Sequence, residues 1–123
     1  MKKLIIIIQI IAIILLLISV PKAEQKYFIM LATAYTPGEE SCGIWADGFT
    51  YTGDVAGKGC IAIDPKARIL KMGQRVYVEG YGYGVCNDIG GAIKGWKIDL
   101  CFNTLQEAKE WGRKLVKVYI WEE

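Results

Sequence analysis

The 123-residue chain is 53% apolar and carries a formal net charge of +2, but both excesses belong to its N-terminus. Residues 4–20 are apolar except for Gln9 and Ser19, and Lys2, Lys3 and Lys22 flank that run, so the remainder is of ordinary globular composition and slightly acidic. This balance excludes a basic nucleic-acid-binding domain, and the absence of histidine excludes Ser-His-Asp and Cys-His catalysis, His proton shuttles and His-containing zinc sites.

Lys2-Lys3, the apolar run and the polar stretch from Lys22 have the order of an export signal. Residues 1–23 therefore read as a signal peptide or an N-terminal membrane anchor, and residues 24–123 as one domain outside the cytoplasm. Ala23 suits the residue before a cleavage point. Pro21 stands where a small residue is expected, and the run approaches the length needed to span a bilayer. Cleavage and retention both stay open.

Downstream, residues 26–35 (KYFIMLATAY) predict a strand that ends in the turn Thr36-Pro37-Gly38. Residues 38–59 are Gly-rich and weakly periodic, an extended surface loop with room for one short strand. Cys60–Asp64 is a short strand stopped by Pro65. Arg75–Glu79 alternates cleanly before Gly80, and a further strand covers 83–87. A Gly-rich loop at 89–95 precedes the strand Trp96–Phe102. Thr104 with Glu107 forms a capping-box signal for a helix that Gly112 closes. A last strand runs over Leu115–Trp121. About six short strands with one short helix make a small, mainly β barrel the economical architecture. All 14 glycines follow residue 37, as tight turns between strands require.

Cys42, Cys60, Cys86 and Cys101 contain no Cys-x-x-Cys spacing, so export makes them disulfide rather than zinc candidates. If the strands around the Gly-rich loop pair antiparallel with Asp88 facing Asp99, Cys86 faces Cys101 on the same side. That register pairs Cys86–Cys101 and leaves Cys42–Cys60 by elimination. It also sets two carboxylates side by side, and mutual repulsion raises the pKa of one of them. A protonated Asp is the acid a glycosidic oxygen needs on leaving. Asp64 ends a neighbouring strand, Gly90-Gly91 permits close approach of a ligand, and Lys94 would stabilise an ionised neighbour. The plain competing reading is that an Asp beside a turn binds backbone amides. Trp45, Tyr51, Tyr81, Tyr83 and Trp96 are candidates for stacking on sugar rings or for packing at the barrel surface, whereas Trp111 and Trp121 are expected in the core. Lys58, Lys66, Arg68, Lys71 and Arg75 form either a solvated basic face or a contact for wall phosphate.

The segments Ala32-Thr33-Ala34-Tyr35-Thr36, Ile61-Ala62-Ile63-Asp64-Pro65, Asp88-Ile89-Gly90-Gly91-Ala92-Ile93-Lys94-Gly95 and Lys97-Ile98-Asp99-Leu100 carry a resemblance. With Gly73, Val76–Val78, Glu107-Ala108 and Trp111-Gly112, they make the chain similar to the 3D family, named for three aspartates that match Asp64, Asp88 and Asp99. Through it the chain resembles the C-terminal part of membrane-bound lytic transglycosylase A. Ile89 departs from the pattern, standing where many members have Thr. The resemblance implies a double-psi β-barrel acting on peptidoglycan glycan strands as a monomer, without cofactor or metal. It implies a lytic transglycosylase that cleaves the MurNAc–GlcNAc bond to a 1,6-anhydro product. Asp88 would be acid and base, Asp64 and Asp99 would tune it, and Thr33 and Tyr35 would line the groove. A non-catalytic, expansin-like wall-binding module and a hydrolytic muramidase are the alternatives.

Overall fold

The computed structural model describes residues 1–19 and 25–121. The expected cleavage point after Ala23 lies outside the described residues. Helix α1 (Lys2–Ser19) leaves its described side chains, through Leu16, exposed. Among the described residues no helix is long and apolar enough to cross a membrane.

Six strands close a barrel: β1 (Tyr27–Tyr35), β2 (Cys60–Ala62), β3 (Arg75–Val78), β4 (Gly82–Asp88), β5 (Lys97–Cys101) and β6 (Lys114–Ile120), in the spatial order β1-β5-β2-β4-β3-β6. The alternation read in the sequence turns one set of side chains inward. Met30 and Ala32, Ile61, Val76 and Val78, Cys86, Ile98 and Leu100, and Val116, Val118 and Ile120 fill the interior. Closure leaves no free sheet edge. The pairings β1–β5 and β2–β4 are parallel and the other four antiparallel. The ring is therefore two-fold symmetric in strand direction about an axis through the β2–β5 pair, exchanging β1-β2-β3 with β4-β5-β6.

Helix α3 (Leu105–Trp111) begins at Thr104, whose hydroxyl accepts the Glu107 amide at 3.2 Å and donates to the Glu107 carboxylate at 2.8 Å. It buries Ala108 and Trp111 against the core, and the Trp111 indole N–H donates to the Ala32 carbonyl at 3.3 Å. Gly84 is required where β4 crosses the chain before β2. A Cβ there would lie 2.6 Å from Ile61 Cδ1 and 2.9 Å from the Gly59 carbonyl.

Three expectations are corrected. Residues 38–59 are not simply extended: they hold the helical turn α2 (Glu39–Cys42), a 3-10 turn at Gly43–Trp45 and an isolated bridge between Phe49 and Val55. Buried Thr36 anchors α2: its amide N–H donates to Ser41 Oγ at 2.9 Å and its hydroxyl donates to the Glu40 carboxylate at 2.6 Å. Trp121 lies beyond β6, is 45% exposed and stacks on Tyr83 instead of entering the core.

The third correction concerns register. β4 and β5 do not pair, because β2 lies between them, parallel to one and antiparallel to the other. Cys86 packs in the barrel interior, while Cys101 lies in a separate outer cluster with Tyr35, Cys60, Ala62 and Ile93. All four thiols are free. The Cys86–Cys101 pairing thus loses its register, and Cys42–Cys60 loses the elimination on which it rested. Burial pushes the Cys86 and Cys101 thiols up to about 12.

Candidate functional site

A bulge determines which way Asp88 faces. Cys60 pairs with Val85 and Ile61 with Cys86, but Ala62 pairs with Asp88, so Asn87 is the extra residue. Without it Asp88 would share the interior face of Cys86, among apolar side chains that offer a carboxylate no partner. The bulge moves Asp88 to the outer face. There Ala62 stands between Asp88 on β4 and Asp99 on β5, and Asp99 is in turn opposite Thr33 on β1. The four residues form one row, Thr33–Asp99–Ala62–Asp88, across the pair through which the two-fold relation passes. The two aspartates stand two strand spacings apart, about 9–10 Å between backbones, and both are half-buried.

Each carboxylate has its own donors. Tyr35 Oη donates to Asp88 Oδ2 at 2.8 Å, and the amides of Tyr51 and Ile89 both donate to Asp88 Oδ1 at 3.0 Å. Thr33 Oγ1 donates to Asp99 Oδ1 at 2.9 Å. Burial raises the Asp99 pKa, with the Asp88 charge adding to it and the Thr33 hydroxyl and Lys97 opposing. The Tyr35 hydroxyl is held protonated far into the alkaline range, first by burial and then by the charge of Asp88.

Asp64 is placed differently. Its Oδ1 accepts the Lys66 amide at 3.2 Å, capping the turn Pro65–Ala67, and its Oδ2 accepts the Gly95 amide at 3.0 Å. The Gly95 amide holds its carboxyl below the usual range, aided by the Lys66 amide and the Lys94 charge. No hydrogen bond joins Asp64 to Asp88 or Asp99 among the described residues. The competing reading of an aspartate beside a turn describes its contacts, since it ties the 89–95 loop to the end of β2. Within that loop the Ile93 amide bonds to the Gly90 carbonyl at 3.0 Å, and Ile93 packs into the outer cluster beside Tyr35. A Cβ on Gly90 would meet Ile93 Cγ1 at 3.0 Å, whereas Gly91 and Lys94 are exposed.

Of the aromatic candidates, Tyr81 is buried and structural: its hydroxyl donates to the Cys101 carbonyl at 2.6 Å and accepts the Gly59 amide at 2.7 Å. Tyr51 is 68% exposed next to Asp88, Tyr83 is exposed, and Trp96 meets Phe28 edge to face. Among the described residues no three His, Cys, Asp or Glu side chains are grouped to hold a metal ion. The sequence reading missed Asn87, Ala62, Ile93 and the backbone amides on Asp88. A signal for the bulge was present, because strict alternation through Gly84 and Cys86 would drive the Asp88 carboxylate into the core.

A family model described as the 3D domain matches residues 59–122. Three Bacillus subtilis (strain 168) proteins are similar to the chain. One is YabE, provisionally described as a cell wall shaping protein, 41% identical over 80% of the chain and 24% of its own length. Another is the cell wall-binding protein YocH, 40% identical over 78% of the chain and 33% of its own length. The third is the uncharacterized SPbeta prophage-derived protein YorM, 38% identical over 79% of the chain and 42% of its own length. The chain thus spans less than half of each of these curated relatives.

Proposed function

The chain belongs to the 3D-domain family, and from that premise we propose that residues 24–123 form an extracytoplasmic peptidoglycan lytic transglycosylase, monomeric and without a cofactor. The observation that carries the proposal is the row Thr33–Asp99–Ala62–Asp88, with two carboxylates on one outer face and the Tyr35 hydroxyl on Asp88. In the reaction, Asp88 donates a proton to the glycosidic oxygen between MurNAc and GlcNAc as the bond to C1 breaks. The muramyl 6-hydroxyl then forms the new bond to C1 and returns its proton to Asp88, giving the 1,6-anhydro product. No water is consumed and no second nucleophilic carboxylate is needed, since the substrate supplies its own nucleophile. Asp99, whose pKa burial raises, limits the negative charge that builds beside Asp88. Thr33 and Tyr35 orient the two carboxylates, and Asp64 with Lys94 shapes the loop above them. The two parallel pairings that flank the antiparallel β2–β5 pair, with their two-fold relation, support reading the barrel as double-psi.

A second reading, wall binding without cleavage, is favoured by the similarity to YocH, a cell wall-binding protein. A digest of purified peptidoglycan separates the readings by mass spectrometry. Anhydro-muropeptides from the wild-type chain, absent with Asp88→Asn, are the expected result. Reducing-end products heavier by one water would mean a hydrolytic muramidase, and a folded chain that binds but cuts nothing would mean a binding module.

A further inference from the structure

On the outer face of the barrel, Arg75 of β3 is opposite Val85 of β4, which is opposite Cys60 of β2. A groove of about 740 Å³ lies along this line, its walls formed by Arg75, Lys58, Tyr83, Trp121, Asp54 and the bulge residue Asn87. Tyr83 and Trp121 stack with ring centroids 5.9 Å apart and planes 18° from parallel, and both are exposed. The Arg75 guanidinium has no hydrogen-bond or ion-pair partner among the described residues. The Lys58 ammonium rests 4.7 Å from the centre of the Tyr81 ring. The one carboxylate in the groove is already engaged, because Asp54 accepts from Thr52 Oγ1 at 2.9 Å and Asn87 Nδ2 at 3.0 Å.

Asn87 adds an independent observation. It is 5% exposed, and its Oδ1 is the buried side-chain oxygen without a hydrogen-bond partner among the described residues. Buried acceptors are nearly always paired, so this one leaves an unmet acceptor in the groove wall. The groove also adjoins the carboxylate row. Asn87 precedes Asp88, and one short segment bonds to both through the Tyr51 amide on Asp88 and the Thr52 amide on the Asn87 carbonyl.

We infer that this groove is a second saccharide subsite, which takes a sugar ring carrying an anionic oxygen substituent. The ring lies against the Tyr83–Trp121 platform, the anion meets Arg75 and Lys58, and the Asn87 bulge forms the wall between the ring and Asp88. A glycan strand crossing Asp88 then extends past the bulge into the groove. The inference rests on the wall-glycan reading of the Asp88 face and adds to it a recognised charge. That charge is a carboxylate of peptidoglycan or a phosphate of a polymer linked to it.

The test is co-sedimentation of the full-length Asp88→Asn chain, which does not digest the wall, with purified sacculi before and after phosphate polymers are stripped by acid. Added Arg75→Ala or Trp121→Ala, each checked for native circular dichroism, is expected to weaken binding about tenfold, with Arg75→Lys retaining part of it. A loss on both preparations identifies the carboxylate, and a loss only on untreated sacculi identifies the phosphate. Equal binding by all the chains overturns the subsite and leaves the wall reading standing. No binding by the parent chain to either preparation overturns both.

Discussion

At Asp99 a short polar side chain is held in a half-buried position by one hydroxyl, from Thr33. Burial lifts its pKa above the value it has in the unfolded chain. The folded state therefore keeps this proton more tightly than the unfolded state does. Asp99 favours folding most below the ordinary aspartate range, and that contribution is lost as the pH rises through its raised folded value. An Asp99→Asn variant lacks the ionisation, so its stability relative to wild type is expected to increase as pH rises through that window. Urea unfolding at a series of pH values measures the difference, and a gap independent of pH would contradict the burial argument. Asp64 shows the opposite environment: backbone amides and Lys94 depress its pKa, consistent with an ionised loop tie. In the sequence Asp64 stood out as a carboxylate at a strand end and Asp99 as one within a strand, facing Asp88 in the expected register. Their division into a member of a carboxylate row and a turn cap was not legible, because it depends on which donors the folded chain brings to each.

At the level of elements, the strands were legible from alternation and turn residues, and α3 from its Thr104 cap and Gly112 stop. Neighbouring strands were not. The sequence reading joined 83–87 to 96–102 because they are consecutive, whereas the three-residue strand β2 lies between them. The corrected register changes what oxidation would do. Ile61 is opposite Leu100 in an antiparallel pair, so one step along each strand sets Cys60 opposite Cys101. Directly opposed residues in such a pair have Cα atoms about 4.5–5.5 Å apart, within the span of a disulfide. Refolding in a glutathione redox buffer is expected to link Cys60 to Cys101. A non-reducing peptide map reads the result, and a Cys86–Cys101 peptide would contradict the observed register. Because Cys101 is also opposite Tyr35, this bond would brace the tyrosine that donates to Asp88.

Over the whole molecule, the barrel divides its side chains between an apolar interior and an outer face that carries the carboxylates. Leu100 is fully buried in β5, the strand between β1 and β2. Leu100→Ala removes methyl groups from a closed interior with little freedom to collapse, and is expected to cost about 2–5 kcal/mol. Chemical denaturation measures it, and a loss below about 1 kcal/mol would mean a loosely packed interior. The same division explains the bulge. The outer face needs Asp88, the inner face needs Cys86, and an uninterrupted strand cannot turn residues two apart to opposite sides.

The sequence by itself determined the apolar N-terminal run, the mainly β character, the limits of α3 and the residues able to move a proton, because each follows from local spacing and side-chain chemistry. Tertiary structure alone decided that β2 separates β4 from β5, that Asp88 and Asp99 share a row while Asp64 holds a loop, and that Arg75 meets Tyr83 and Trp121 in one groove. Those outcomes depend on pairings between distant segments and on one inserted residue, Asn87. They are selected by closing the barrel and keeping charge out of its interior, and no local pattern encodes that closure directly.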